Sequence, residues 1–268
     1  MNAASTILPG ADLDLSKMPG HWLLARMGKR VLRPGGRELT RRMLDALAIG
    51  PADDVVELAP GLGATARLAL ARGPASYVAV ERDAVAAAGM RDLLHGPARR
   101  CIEGSAGDTG LADRCASIVY GEAMLTMQTE HQKASIVREA FRVLRPGGRY
   151  GIHELALTPD DLADARKEQV ARDLSSSIHV GARPLTVSEW RRLLEVAGFR
   201  VDAEITAPMR LLEPGRLVQD EGWLGALRIA GRIVRTPAAR RRIFEMRTVF
   251  RRHASALCAV ALVASRPA

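Results

Sequence analysis

Residues 54–81 read DVVELAPGLGATARLALARGPASYVAVE. The first part, DVVELA at 54–59, is an almost unbroken apolar run carrying one acid, the pattern of a parallel strand covered on both faces. Gly61 and Gly63 follow, then the helical ATARLALAR at 64–72, then a second apolar run, SYVAVE, at 76–81. Strand, glycine turn, helix and strand make a βαβ unit. Glycines let the backbone adopt positive φ and approach a ligand closely. The helix that starts there turns its free N–H groups toward an anion. Glu81 closes the second strand, eighteen residues after Gly63, where a carboxylate can accept both hydroxyls of a ribose. The unit predicts a nucleoside site; the plain alternative is a tight turn beside a surface acid.

Working outward, the same alternation continues. A helix is expected over 84–94, strands over 100–104 and 116–121, a helix over 133–144 and a fifth strand over 149–157. Helices at 160–174 and 187–197 follow, the second ending at Gly198, then a sixth strand at 199–205. Residues 207–255 read as two basic helices parted by Pro237, and the β-branched and small apolar run 256–264 as a final strand. Toward the N-terminus, 1–20 is an irregular arm, 21–32 a short amphipathic helix and 38–48 another helix. The expected fold class is α/β: a doubly wound, Rossmann-like, seven-stranded, mostly parallel sheet with helices on both faces. The expected organisation is an N-terminal helical arm or lid over 1–50 and one domain over 51–268, with inserts at 158–184 and 207–255.

Composition narrows the classes. The 268 residues are 47% hydrophobic and 26% charged, ordinary for a globular chain, so disorder, collagen and coiled coil are excluded as the main state. Aromatics are 4%, which disfavours a base-stacking nucleic-acid module. The net charge of +9 permits an acidic partner without identifying one. Cys101, Cys115 and Cys258 are dispersed with no C-x-x-C, so neither a disulfide framework nor a zinc cage is expected. The six histidines show no H-x-x-x-H spacing, and no metal is expected. The first residues lack a basic segment followed by a long apolar one, and no run approaches a membrane span, so a cytoplasmic protein is expected.

Gly61-x-Gly63-x-x-Ala66 also fits the dinucleotide fingerprint, which makes an NAD-dependent oxidoreductase a competing reading. Three features weigh against it: Glu57 inside the strand before the loop, a loop that begins some 60 residues in, and LRPGG at 144–148 between a helix and the fifth strand. With Glu57-Leu58-Ala59-Pro60-Gly61-Leu62-Gly63, Glu81, Gly104-Ser105-Ala106, 117–127 and RVLRPGGRY at 142–150, the chain resembles class I S-adenosylmethionine-dependent methyltransferases. It is most similar to the small-molecule branch of ubiquinone and menaquinone biosynthesis. The resemblance runs from about Leu39 to Phe199 and resumes in the last strand, which it places antiparallel between strands five and six. It implies S-adenosyl-L-methionine as cofactor, held by Glu57, Ala59, Gly61, Gly63, Glu81, Arg82, Gly104, Ser105, Ala106 and Glu122. Two positions depart from the family pattern: Ala59 stands where glycine is commonest, and Ser105 where an Asp or Asn usually meets the adenine. After the fourth strand, Tyr120-Gly121-Glu122-Ala123 does not match the motif of nucleic-acid methyltransferases. The implied acceptor is therefore a small, fairly apolar molecule; a non-catalytic cofactor-binding module is the other alternative.

Sites in open α/β sheets lie beyond the carboxyl ends of the strands. That selects Glu122 after the fourth strand and His153 in the fifth as candidate bases for an acceptor hydroxyl or amine. Successive strand residues face opposite ways, so only one of His153 and Glu154 is expected in the site. His21 and Trp22 on the arm, and His179 and Arg183 in the insert after strand five, are candidate lid residues. Between Trp223 and His253 nine arginines face the single acid Glu245. Arg228, Arg232 and Arg235 share one helical face, while Trp223, Leu224, Leu227 and Val234 lie largely on another. Such a helix can rest on an anionic membrane; the plainer expectation is a solvated basic face with the apolar stripe packed on the domain.

Overall fold

The computed structural model describes residues 9, 10 and 13–268. In chain order the elements are α1 (Gly20–Arg26), α2 (Gly36–Leu47), β1 (Asp54–Leu58), α3 (Ala64–Leu70), β2 (Ser76–Glu81), α4 (Ala84–Leu93), β3 (Arg99–Glu103) and β4 (Ala116–Glu122). There follow α5 (Glu130–Val143), β5 (Leu144–Leu157), α6 (Asp164–Ile178), β6 (Leu185–Thr186), α7 (Val187–Val196), β7 (Arg200–Pro208), α8 (Pro214–Arg235), α9 (Pro237–Arg252) and β8 (Leu257–Ser265). Most of residues 1–12 of the predicted arm lie outside the described residues.

The sheet runs β3-β2-β1-β4-β5-β8-β7. β1 pairs in parallel with both β2 and β4, and β4 in parallel with β5. β8 runs antiparallel between β5 and β7, as the resemblance implies. The one strand beyond the expected seven is the two-residue β6, paired with the end of β5. Nothing so short carries a periodic signal.

Each strand serves two cores because alternate side chains face opposite ways. Val56, Leu58, Val119, Ile152, Val260 and Leu262 pack under α5 and α7. Val55, Tyr77, Ile118, Tyr120, Ala261 and Val263 pack on the other face with α2 through Leu39, Met43, Leu44 and Leu47. α5 and α7 both begin with capping boxes, Thr129 with Gln132 and Thr186 with Glu189. A third cluster joins Met18, Leu23, Leu24 and Met27 to Ile229, Ala239 and Met246, so α1, α8 and α9 form one cap. Arg242 pins the arm to that cap, donating to the carbonyls of Leu15 (2.8 Å) and Met18 (2.6 Å).

The two basic helices do part at Pro237, which begins α9. A second break was not foreseen: Gly222 interrupts α8 at φ 75° and ψ 166°. The residues before it hold the strap that connects α1 to α2. Lys29 pairs with Asp220 at 3.4 Å, both side chains buried, and Glu221 accepts the N–H groups of Arg30 (2.7 Å) and Val31 (2.9 Å). Asp220 also accepts the Arg37 N–H at 3.1 Å. The start of α8 thus fixes residues 29–37 over the ends of the central strands.

Candidate active site

The chain leaves β1 toward β2 on one side and enters β4 and β5 on the other, so the loops after β1 and β4 part. A crevice at the carboxyl ends of the strands follows from that topology. Here it is a cavity of about 720 Å³ between the strand ends and the cap.

One half of the cavity is polar. Its wall is the turn after β1, in which Ala59, Gly61 and Gly63 all have positive φ, at 53°, 55° and 70°. A Cβ on Gly61 would meet nothing within 4 Å, whereas one on Gly63 would come to 2.7 Å from Leu93 and 2.8 Å from Met90. Gly63 is therefore fixed by packing against α4, while Gly61 leaves an open cradle. Glu81 is buried and grips this turn: Oε2 accepts the Gly61 N–H at 3.0 Å and Oε1 the Asp83 N–H at 2.9 Å. A carboxylate retains further lone pairs for hydroxyl donors. Arg82, Gly104, Ser105 and Ala106 complete this half, with Ser105 exposed and its Oγ accepting the Gly107 N–H at 3.2 Å.

The other half is apolar. Leu24, Leu155, Ile178, Met209, Leu212, Met246 and Phe250 line it, drawn from α1, β5, α6 and the cap. His21 and Trp22 line it too, their rings 4.7 Å apart and tilted. Burial pushes the His21 imidazole down to about 4, against the pull of Asp83, so it is neutral near neutral pH. His179 and Arg183 are exposed and lie outside the lining, although Ile178 and Val180 belong to it. His179 is turned away by its own backbone, which ends α6 at φ 54°.

A buried charged cluster starts at the cavity wall, where Glu122 and Arg33 line it, and runs back into the core. Glu122 accepts from Thr40 Oγ1 at 2.6 Å, pairs with Arg33 Nη1 at 3.0 Å, and is bonded by the hydroxyl of Thr65. His153 Nδ1 lies 2.7 Å from Glu122 Oε1, and its Nε2 lies 2.5 Å from the Pro34 carbonyl. Burial by itself raises the Glu122 carboxyl. The Arg33 charge, the hydrogen bond and charge of His153, and Thr40 outweigh it and hold the group at about 2. The two ring nitrogens of His153 thus tie Glu122 to the Pro34 carbonyl. His153 has no exposed surface and is absent from the cavity lining.

Two expected residues, His153 and Glu57, thus sit behind the wall. Glu154 is the counterpart of His153 on the opposite face: its carboxylate accepts the N–H groups of Met124, Leu125 and Thr126 and the Thr126 hydroxyl, which builds the turn after β4. The expectation that one of the pair enters the site fails because each is consumed by a backbone or side-chain partner. Glu57, expected near the cofactor, is buried against the Tyr77 hydroxyl, which lies 2.6 Å from that of Tyr120. Burial, with Glu122 nearby, pushes Glu57 up to about 8 despite the Tyr77 bond.

Arg33, Thr40 and Thr65 were not foreseen. Thr65 carried a signal, a hydroxyl in the first turn after the glycine loop. Arg33 lies in a loop and had none. Its Nε and Nη2 are buried without a hydrogen-bond partner among the described residues, and the residue lines the cavity. Glu122 is ionised and Glu57 neutral near neutral pH, and the open donors of Arg33 are left to an anionic group in the cavity.

These features fit an adenosyl amino acid: an open glycine cradle, a buried carboxylate with spare lone pairs, and a guanidinium with Nε and Nη2 left over for a carboxylate. Among the described residues no group of three His, Cys, Asp or Glu side chains is placed to hold a metal ion.

Residues 55–148 match a family model described as a methyltransferase domain. An uncharacterized protein of Haemophilus influenzae is 30% identical over 220 residues, which cover 78% of this chain and 83% of that protein. An uncharacterized methyltransferase of Synechocystis is 30% identical over 136 residues, 50% of this chain and 63% of that one. Among solved structures, Haemonchus contortus phosphoethanolamine N-methyltransferase 2 in complex with phosphomonomethylethanolamine and S-adenosylhomocysteine aligns with a TM-score of 0.69. The identity is 13%, over 93% of this chain and 57% of that one, which shows a shared fold. The dinucleotide reading of the glycine loop is not favoured, since the methyltransferase model spans that loop.

Proposed function

We infer from the methyltransferase domain at residues 55–148 that this chain is an S-adenosylmethionine-dependent methyltransferase, and propose that it methylates an O, N or C nucleophile of a small, lipophilic acceptor. The observation that carries this reading is the division of the cavity into a polar half and an apolar half. S-adenosyl-L-methionine, when bound, supplies an electrophilic methyl group. The Ala59–Gly63 turn and Glu81 would hold its nucleoside, Gly104, Ser105 and Ala106 its adenine, and Arg33 its carboxylate.

The apolar half then orients the acceptor and excludes water, and proximity does most of the work. His153 is a positioning residue: it ties Glu122 to the Pro34 carbonyl, and so aligns Glu122 and the strap that carries Arg33. Glu122 held near 2 is a weak base, so its part is to orient Arg33 and Thr65 rather than to take a proton. His21 is the neutral imidazole facing the cavity, free to accept a hydrogen bond from an acceptor hydroxyl or amine. An acceptor resembling the ring compounds of quinone biosynthesis suits this lining. Peripheral contact with an anionic membrane, in the cytoplasm, belongs to the same reading.

The test is transfer of a labelled methyl group from S-adenosylmethionine into fractions of a cell extract. Label is expected in the organic phase. Label confined to polar metabolites would overturn the lipophilic acceptor, and binding of NADH without S-adenosylhomocysteine by calorimetry would overturn the cofactor assignment.

A further inference from the structure

The arginine-rich helix α8 presents an apolar face that nothing among the described residues covers. Trp223, Leu227 and Val234 recur at helical spacing and are 74%, 66% and 63% exposed, with Leu224 beside them at 71%. The domain is gripped by a different face, through the buried Ala226 and Ile229. The expectation that this stripe packs on the domain is therefore overturned: the helix packs through Ala226 and Ile229 and leaves Trp223, Leu224, Leu227 and Val234 outside.

Charge says what the face fits. Between Gly222 and Phe244 the chain has six arginines and no acid. Arg228, Arg232 and Arg235 are exposed along one side of the stripe, and none of the three is in an ion pair among the described residues. Arg240, exposed at the start of α9, reaches the Val234 carbonyl at 3.4 Å and extends the basic border past the end of α8. An apolar ridge bordered by cations, with a tryptophan at one end, suits the boundary between headgroups and acyl chains of an anionic bilayer. A second copy of the chain would oppose arginines to arginines, and a nucleic acid would leave the ridge in water. Among the described residues no helix is long and apolar enough to cross a membrane, so the contact is at the surface.

We propose that α8 docks this protein on an anionic lipid surface through Trp223, Leu224, Leu227 and Val234, with Arg228, Arg232 and Arg235 contacting the headgroups. The proposal rests on the lipophilic-acceptor reading for its purpose. α8 joins the two functions physically, because Asp220 and Glu221, just before the Gly222 break, hold the strap that carries Arg33.

Sedimentation of the full chain with phosphatidylglycerol-containing vesicles, against pure phosphatidylcholine vesicles, tests it. Binding to the anionic vesicles alone is expected, with quenching of tryptophan fluorescence by brominated acyl chains. The double variant Trp223→Ser, Leu227→Ser and the double variant Arg228→Gln, Arg235→Gln should each weaken binding at least tenfold, while S-adenosylhomocysteine affinity holds. Absent binding, equal binding to both vesicle types, or unweakened variants would overturn the proposal. So would sedimentation velocity showing a dimer that the first double variant dissolves. Uptake of an apolar fluorescent dye by that same variant, without vesicles, reports on the cavity separately. Dye uptake by an unsubstituted chain that ignores vesicles leaves the acceptor reading standing and removes the docking face; vesicle binding by the unsubstituted chain without dye uptake does the reverse.

Discussion

Glu122, which lines the cavity, and His153 behind it are register partners on neighbouring parallel strands and meet at 2.7 Å. The pairing joins β4 to β5, and through Pro34 and Arg33 it joins both strands to the strap between α1 and α2. A pair buried this deeply is a weak source of net stability, but breaking it leaves an unpaired charge behind.

Replacing His153 with Ala removes the ring that ties Glu122 to the Pro34 carbonyl. The expected loss is about 2–4 kcal/mol in urea unfolding, the usual size for breaking a buried charged hydrogen-bond network. His153→Gln, which can still donate to one partner, should recover part of it. A stability change under about 0.5 kcal/mol, the range of an ordinary surface substitution, would contradict the positioning role.

Arg33→Lys keeps a cation beside Glu122 but loses the guanidinium fork. S-adenosylhomocysteine should bind about 10-fold more weakly, a loss of about 1.4 kcal/mol that lies within the range of one charged hydrogen bond. 5′-Methylthioadenosine, which lacks the carboxylate, should bind as before. Calorimetry with both ligands decides the point, because equal losses would mean that Arg33 only shapes the cavity.

Glu57 gives a pH signature. Its folded carboxyl is raised to about 8 from an ordinary 4.5, so the unfolded chain releases a proton that the folded chain keeps. Stability should therefore fall as pH rises from 4.5 toward 8, and Glu57→Gln should abolish that part of the fall. The advantage of the variant over the parent should grow to on the order of 5 kcal/mol across this window and then level off. A difference independent of pH would refute the assignment. Glu122 acts in the opposite window: held near 2, it contributes stability above pH 4.5 that is lost as pH drops toward 2.

Ala59 occupies a left-handed conformation, which costs a residue with a Cβ about 1–2 kcal/mol. Glycine there gives back about 0.5–1 kcal/mol through its looser unfolded chain. Ala59→Gly should raise stability by about 0.5–1 kcal/mol, seen as a higher midpoint in thermal unfolding. A lower midpoint would show that the methyl group packs usefully against the turn.

The fold class and the polar half of the cavity were legible in the chain. Val55 and Val56 flank each other on opposite faces, Gly61 and Gly63 punctuate strand and helix, and Glu81 ends the next strand; each is a local signal with a local cause. Backbone periodicity and the conformational freedom of glycine act over a few residues, so a linear reading recovers them. The antiparallel placement of the last strand came from the family resemblance and is what the sheet contains.

Partnership was not legible, because it depends on contacts distant in sequence. His153 looked like a base because of its place at a strand exit. What removes it from the cavity is a carbonyl 119 residues earlier and a carboxylate 31 residues earlier. Arg33 gave no signal, since its importance lies in Thr65 and Glu122 on one side and two orphaned N–H groups on the other. The amphipathic pattern of α8 was plain from its spacing, yet spacing cannot say which apolar residues a neighbour covers. Only the packing of Ala226 and Ile229 against the cap decided that Trp223, Leu224 and Leu227 stay outside, because burial is set by the surfaces that meet and not by the order of residues along the chain.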